Sequence, residues 1–149
     1  MIYEDTPKYD LWLKLILGGV LALTLILGVI SIYRDTEAAI AMFGITVFDA
    51  LLFKAILPRR FQIFEDRLKI LLGGPFSINI LLSNIAEVKP ASSREVFAYW
   101  GIRFATSTSN VVEVVRKKGL NLIISPGNDD MFLEQLNQAL QSQSSQDNP

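Results

Sequence analysis

LWLKLILGGVLALTLILGVI at residues 11–30 and AAIAMFGITVFDALLFKAIL at residues 38–57 are two apolar runs separated by a short polar connector. An α-helix rises ~1.5 Å per residue, so each run spans ~30 Å, the thickness of the hydrocarbon core of a bilayer. A small soluble domain has no interior large enough to bury two such helices. The runs therefore predict a transmembrane helical hairpin at residues 11–57. The alternative for the first run, a cleaved signal peptide, fits poorly because signal h-regions are typically ~7–15 residues long.

Composition limits what the rest of the chain can be. The chain has 149 residues, 50% of them hydrophobic, and a formal net charge of −1. The hydrophobic excess lies in the two runs, and the remainder has the composition of one small globular domain. The net charge gives no general attraction to nucleic acid, so nucleic acid is not an expected partner. The absence of cysteine and histidine excludes disulfides, thiolate nucleophiles and an imidazole base.

Charges at the ends of the runs predict the orientation of the hairpin. The cations that flank its open end are Lys8, Lys14, Lys54, Arg59 and Arg60. The connector carries only Arg34. Because positively charged residues are enriched on the cytoplasmic side of membrane helices, we expect a two-helix integral protein of a cell inner membrane. Residues 1–10, the C-terminus and the domain after the hairpin are then cytoplasmic.

Asp49 is a carboxylate well inside the second apolar run. An ionisable residue at that depth is costly and is a hypothesis for function. Three interpretations are open. In the first, Asp49 is protonated, or is reached by the side chain of Lys14 or Lys54, and holds the helices together. Alternatively, it contacts a partner helix or a second copy, or it conducts ions or protons. Gly18 and Ala22 form a small-residue face on the first helix, which allows another backbone to approach.

After residue 57 the pattern changes to short segments of β type. Alternating or apolar segments bounded by turn residues occupy residues 61–64, 67–72, 76–82, 85–88, 101–106, 110–115 and 120–124. Their spacing of roughly 8–14 residues is typical of an antiparallel sandwich or barrel. We therefore predict an all-β domain at residues 58–141.

The end of the chain predicts one helix and a tail. Asn128 is a good N-cap, and Asp129 and Asp130 follow where the helix dipole favours negative charge. Apolar residues then recur at helical spacing up to Leu140, which indicates an amphipathic helix. Residues 142–149 are polar and of low complexity, so we predict a disordered tail.

A series of short strands closed by one amphipathic helix is the outline of a pleckstrin-homology-like (PH-like) barrel or sandwich. The chain resembles the bacterial PH-domain family, which is often attached to transmembrane helices. The resemblance covers residues 58–141 and is carried by FQIFEDRLKI at 61–70, the strand at 76–80, WGIR at 100–103 and the final helix. It implies a PH-like fold, a tendency to self-associate and a non-enzymatic role.

No catalytic group stands out. Without histidine or cysteine, nucleophilic catalysis needs a serine–lysine or carboxylate scheme, and the serines lie in turns or in the tail. Asp129 and Asp130 are explained by the helix start, so no metal site is predicted. We expect no enzyme, no cofactor and no small-molecule substrate.

Binding surfaces remain as candidates. Basic residues are the candidate contacts for lipid head groups: Lys54, Arg59, Arg60, Arg67, Lys69, Lys117 and Lys118. Basic residues near an anionic leaflet contribute ~1 kcal/mol each, although topology alone also explains those beside the hairpin. Aromatic and basic residues in REVFAYWGIR at 94–103 form a candidate interface with a protein or a second copy: Phe97, Tyr99, Trp100 and Arg103. The alternative is that these aromatics belong to the core.

The function predicted from the sequence is therefore a membrane-anchored, non-catalytic interaction or scaffold module at the cytoplasmic face. It would self-assemble or recruit a membrane or cytoplasmic protein. The first alternative is a domain that senses anionic lipids, and the second is a small transport or channel subunit that uses Asp49.

Overall fold

A computed structural model of the chain describes residues 1–92 and 100–146. Within these residues, a helical hairpin is joined to a domain of two β-sheets and one C-terminal helix. The helices are α1 (Leu11–Ile32), α2 (Thr36–Ile56) and α3 (Asp129–Gln146). The strands are β1 (Tyr3–Asp5), β2 (Pro58–Ile63), β3 (Arg67–Leu72), β4 (Ser77–Leu81), β5 (Ile85–Pro90), β6 (Ile102–Phe104), β7 (Val112–Arg116) and β8 (Leu122–Ile124). A 3₁₀ turn, Leu82–Asn84, connects β4 to β5.

The two apolar runs form helices α1 and α2. They have 22 and 21 residues and are long and apolar enough to cross a membrane, by length and composition. Only 6% of the apolar segment of each helix is buried within the chain, whereas a core helix of a soluble protein is mostly buried. Asp35 begins α2, because its Oδ1 accepts hydrogen bonds from the backbone N–H groups of Glu37 at 2.9 Å and Ala38 at 3.4 Å.

α1 and α2 pack along a seam with the 3.5-residue repeat of a coiled coil. The less exposed positions on the two helices alternate at spacings of three and four: Leu17, Leu21, Thr24 and Gly28 on α1, and Ala39, Met42, Thr46, Asp49 and Phe53 on α2. The Thr46 hydroxyl donates to the Thr24 hydroxyl at 3.0 Å across this seam.

The close approach between the helices is at Gly28 and not at the small-residue face predicted from Gly18 and Ala22. A Cβ atom added to Gly28 would lie 3.2 Å from Phe43 Cε1, whereas one added to Gly18 would meet no atom within 4 Å. Gly18 and Ala22 are exposed because they lie beside the seam. Small residues show where backbones are able to approach, but the phase of the repeat decides which of them face the partner helix.

The β-domain consists of two four-stranded sheets. The first has the order β1-β2-β3-β4 and is antiparallel throughout. The second has the order β5-β7-β8-β6, in which β6 runs parallel to β8. Side chains of both sheets and of α3 share one core, where Phe132 meets Phe61 edge-on with ring centroids 6.1 Å apart.

The predicted sandwich layout is present, but the barrel is not closed. Among the described residues no ladder joins the two sheets: an isolated bridge pairs Pro7 with Pro126, and the 3₁₀ turn lies between β4 and β5. The wholly antiparallel arrangement is also wrong for β6, which takes an edge position beside β8. A closed barrel requires hydrogen bonds between every pair of neighbouring strands, and the strands of the described residues form two separate sheets.

Two further differences concern the ends of the chain. Residues 3–5 form β1 and pair with β2, although the predicted β-domain began only at residue 58. α3 begins as predicted, with the Met131 N–H donating to Asn128 Oδ1 at 3.1 Å. It continues to Gln146 and so includes part of the predicted disordered tail at 142–149. The Ser142 hydroxyl donates to the Gln138 carbonyl, one turn earlier in the helix, at 2.9 Å.

Candidate functional site

Within the described residues, a network of polar contacts lies at the junction between the hairpin and the β-domain. Asp10 lies immediately before α1, yet its side chain makes no cap to its own helix. Its carboxylate instead accepts hydrogen bonds from Ser107 Oγ at 2.8 Å, Thr108 N at 2.8 Å and Thr108 Oγ1 at 3.1 Å. The start of α1 is thereby bound to the loop that follows β6.

Backbone hydrogen bonds reinforce this contact. The Asp10 N–H donates to the Thr106 carbonyl at 3.0 Å, and the Lys8 N–H donates to the Ser125 carbonyl at 3.0 Å. The Thr106 hydroxyl in turn donates to the Lys8 carbonyl. Together with β1, these bonds make residues 3–10 an integral part of the β-domain before the chain enters α1.

The electrostatics of Asp10 follow from the same hydrogen bonds. Burial raises the pKa of the Asp10 carboxyl, but hydrogen bonds from Thr108, Ser107 and Trp12 outweigh that effect and hold the pKa below its ordinary value. The ionised carboxylate is therefore the form that the junction stabilises.

The other end of the hairpin is attached to the domain just as closely. The Gly73 N–H donates to the Leu57 carbonyl at 2.9 Å. A Cβ atom added to Gly73 would lie 1.6 Å from the Lys54 carbonyl oxygen, so only glycine fits between the β3–β4 turn and α2. The Tyr9 hydroxyl donates to the Pro58 carbonyl. Burial raises the pKa of the Tyr9 phenol, with Arg59 offsetting part of the effect, so the phenol keeps its proton.

The candidate lipid contacts fall into two groups at opposite ends of the strands. Lys54 and Arg59 are exposed beside the junction. Arg60 is also there and forms an ion pair with Glu4 at 2.9 Å. β3 runs from Arg67 to a C-terminal end that meets α2, so Arg67 lies ~17 Å away along the strand.

Lys117 and Lys118 belong to the distant group. β7 begins beside the junction, where the Lys8 ammonium donates to Asn110 Oδ1 at 3.0 Å, and it ends at Arg116. Both lysines are exposed and follow that far end. Lys69 is half-buried in the middle of β3, opposite Gln62 and Asn79. The structure therefore does not bring the seven predicted residues into one surface.

A cavity of about 480 Å³ lies at the far end of the domain. Its lining includes the cations of the β7–β8 hairpin and polar residues of the 3₁₀ turn: Ser83, Asn84, Arg116, Lys117 and Lys118. Asn84 holds the hairpin, because its Oδ1 accepts from the Lys118 N–H at 3.0 Å and its Nδ2 donates to the Lys118 carbonyl at 3.1 Å. These contacts give the basic tip a fixed position.

The predicted protein interface is described only in part. Phe97 and Tyr99 lie outside the described residues. Trp100 is 95% exposed, so the core alternative is wrong for this residue. Arg103 lies in β6 and is exposed. The part of this segment that the structure describes thus presents an aromatic side chain to the surroundings.

Asp49 lies on the α1–α2 seam and is half-buried. Among the residues that the structure describes, no hydrogen bond or ion pair reaches its carboxylate, including from Lys14 or Lys54. The nearest polar pair along the seam is Thr24 with Thr46, one turn away. The hairpin alone therefore does not satisfy this side chain.

Catalytic and metal chemistry gain no support from the geometry. In the described part of the chain, no three His, Cys, Asp or Glu side chains are grouped to hold a metal ion. The carboxylate beside the hydroxyl cluster of Thr106–Ser109 is Asp10, which accepts hydrogen bonds from Ser107 and Thr108. Its pKa is held below the ordinary value, which makes it a weak base. The cluster acts as a structural clamp for Asp10.

Comparison with known proteins finds no family model, no curated protein and no solved structure that matches the chain. The resemblance to the bacterial PH-domain family therefore stays a prediction.

Gly73 tests the junction sterically, with Gly74 as its matched control. We expect Gly73→Ala to reduce the free energy of unfolding by about 3 kcal/mol or more, because backbone must move away from the new methyl group. Gly74→Ala adds a Cβ at an ordinary contact distance of 3.4 Å from Phe76 and should change stability by less than about 1 kcal/mol. Denaturant unfolding of the full chain in detergent micelles measures both. Equal effects of the two substitutions would contradict the account.

Asp10 tests the junction electrostatically. Asp10→Asn should cost about 1–3 kcal/mol near neutral pH, because one of the two carboxylate oxygens becomes an amide nitrogen, which cannot accept the bonds from Ser107 or those from Thr108. Folding lowers the pKa of Asp10, so its contribution to the free energy of unfolding is complete at pH values above its pKa of ~4 in the unfolded chain. That contribution is lost as the pH falls through the lower pKa of the folded chain. The stability gap between wild type and Asp10→Asn should therefore close in acid. A constant gap, or an equal gap with Asp130→Asn, would refute this role.

Proposed function

We propose that the chain is a membrane-anchored, non-catalytic interaction module whose β-domain is presented at the cytoplasmic face of an inner membrane. α1 and α2 then span the bilayer, and both termini are cytoplasmic. The support is the length and apolar surface of the helices, together with the cations at the open end of the hairpin. The β-domain contributes the binding surfaces and performs no chemistry.

The observation that carries this proposal is the attachment of the β-domain to both ends of the hairpin. Asp10 is bound to the β-domain immediately before α1, and Gly73 is packed against the end of α2. A flexible tether would let the domain turn freely, whereas this attachment fixes its orientation relative to the helices. A fixed orientation presents the same surfaces to every neighbour in the membrane plane, which suits an assembly or recruitment role.

The partner is a second copy or another membrane or cytoplasmic protein. Exposed Trp100 supports this, because aromatic side chains are enriched at interaction hot spots. Asp49 supports it too, because an unsatisfied carboxylate within the span is stabilised by a donor from a neighbouring helix. The PH-like fold predicted from the sequence accords with a binding role, and the two sheets with a C-terminal helix are compatible with that prediction.

A second candidate function, the sensing of anionic lipids, is favoured by the residues beside the junction. Lys54 and Arg59 are exposed and form no ion pair with any residue in the described ranges. The group at the far end of the strands is ~17 Å away and serves this function less well. A conducting role for Asp49 is the weakest candidate, since among described residues the seam has only the two threonines as further polar groups near it.

Native mass spectrometry of the full chain, extracted gently from its own membrane, tests the proposal. We expect a complex heavier than the monomer that contains a second copy or another protein, and we expect it to persist at high salt. A monomer that retains anionic lipid only at low salt would favour lipid sensing, because screening lengths are ~8–10 Å near physiological salt. A bare monomer would contradict both functions.

The Asp49→Asn substitution separates the interaction role from the conducting role. It should leave contacts made by the β-domain intact, whereas it would abolish ion conduction if Asp49 served in a channel.

A further inference from the structure

The β3–β4 turn, residues 73–76, lies beside the last turn of α2. The site of an added Cβ on Gly73 is 1.6 Å from the Lys54 carbonyl oxygen, and that on Gly74 is 3.5 Å from Ala55 Cβ. Because Ala55 is next to the last residue of α2, the turn is level with the end of that helix. An element at that level meets the boundary between acyl chains and head groups if the hairpin spans the bilayer.

Phe76 makes this turn apolar. The same added Cβ on Gly74 lies 3.4 Å from Phe76 Cδ2, so the ring belongs to the part of the turn that faces α2. Yet Phe76 is 60% exposed. It has the same strand parity as Ile78 and Ile80, which are half-buried and buried, so it continues the apolar face of β4 beyond the end of the core. Burial of an exposed phenylalanine side chain is favourable by up to ~1.5–3 kcal/mol.

The surroundings of Phe76 suit a lipid interface. The turn itself, GGPF, carries no charge. Lys54 and Arg59 flank it from α2 and β2, are exposed, and form no ion pair within the described residues. Phenylalanine with lysine or arginine beside it is typical of segments that lie in the membrane interface, where the apolar side chain is buried at the boundary and the cations bind anionic lipid.

We propose that the β3–β4 turn is a membrane-inserted wedge: Phe76 enters the boundary between head groups and acyl chains, and Lys54 and Arg59 bind anionic head groups around it. The inference rests on the membrane anchorage in the proposed function. The occupant of this surface is the bilayer, because the surface is continuous with the apolar span of α2. Insertion of a short apolar element reaches ~5–10 Å into the boundary region.

The wedge gives the β-domain a contact with lipid in addition to its two covalent connections to the hairpin. The polar clamps fix the domain relative to α1 and α2, and the wedge fixes it relative to the membrane plane. It also places the anionic-lipid preference at two cations beside the junction and leaves the basic tip at Lys117 and Lys118 free for other contacts.

Depth-dependent fluorescence quenching tests the wedge directly. The chain contains no cysteine, so single substitutions allow an environment-sensitive dye to be attached at one position. Three full-length variants are needed: Phe76→Cys at the wedge, Val47→Cys at an exposed mid-span position of α2, and Ser83→Cys on the 3₁₀ turn at the far end of the domain. Each is reconstituted in vesicles of phosphatidylcholine with phosphatidylglycerol that carry nitroxides either shallow or deep in the acyl chain.

We expect the dye at position 76 to lose most of its emission with the shallow nitroxide and little with the deep one. The dye at 47 should respond most to the deep nitroxide, and the dye at 83 to neither. If 76 behaves like 83 while 47 is quenched, the wedge is overturned and the anchorage stands. The wedge is also overturned if the dye at position 76 escapes quenching because a second copy of the chain covers it. Measurement of the mass of the complex would reveal such a dimer. If 47 is not quenched, the anchorage itself is wrong.

The cations are tested in the same vesicles. Replacement of both Lys54 and Arg59 by glutamine in the Phe76→Cys chain should reduce the difference in quenching between vesicles with and without phosphatidylglycerol. The control is Lys117→Gln with Lys118→Gln, which should leave that difference unchanged. An equal loss in both pairs would contradict the assigned head-group contacts.

Discussion

The structure depends on a polar clamp between an apolar hairpin and a β-domain. Two helices with apolar surfaces have no hydrophobic reason to keep a fixed position relative to a water-soluble sheet. The Asp10 carboxylate provides one, since it accepts hydrogen bonds from Ser107 and Thr108 next to the first residue of α1. A hydrogen bond to a charged group contributes about 1.5–3 kcal/mol, enough for a few of them to hold a small junction.

Close packing attaches the second end of the hairpin to the β-domain. The Gly73 N–H reaches the Leu57 carbonyl, and the absence of a side chain lets the β3–β4 turn lie against the Lys54 carbonyl. β1 pairs with β2, so the chain enters the β-domain before the hairpin and re-enters it afterwards. The hairpin is in this sense an insertion into the β-domain. Under the proposed function, the hairpin therefore both anchors the β-domain in the membrane and fixes the orientation of its binding surfaces.

The sequence predicts the features that depend on local periodicity. Helices α1 and α2 follow from the length of the apolar runs, β3 occupies the predicted residues 67–72, and Asn128 caps α3 as predicted. The junction could not be predicted, because Asp10 and Ser107 are 97 residues apart and neither has a distinctive neighbourhood in the sequence. β6 lies within the predicted segment 101–106, but its parallel pairing could not be predicted, since three residues of alternating pattern do not reveal the direction of their partner strand. The candidate lipid contacts could be predicted from the sequence only by their charge. The directions of the strands decide their positions, and they place Arg59 and Lys117 at opposite ends of the β-domain.

The attachments at both ends of the hairpin make the hairpin and the β-domain one rigid unit. Pulsed electron–electron double resonance of the full chain in a bilayer tests this rigidity most directly. Nitroxide labels are attached to cysteines introduced by Tyr33→Cys at the hairpin turn and by Ala86→Cys on the far side of the β-domain. Both positions are exposed, and the native chain contributes no cysteine. The account predicts a single narrow distance distribution. A broad distribution, as given by a domain that turns freely on its connections, would contradict it.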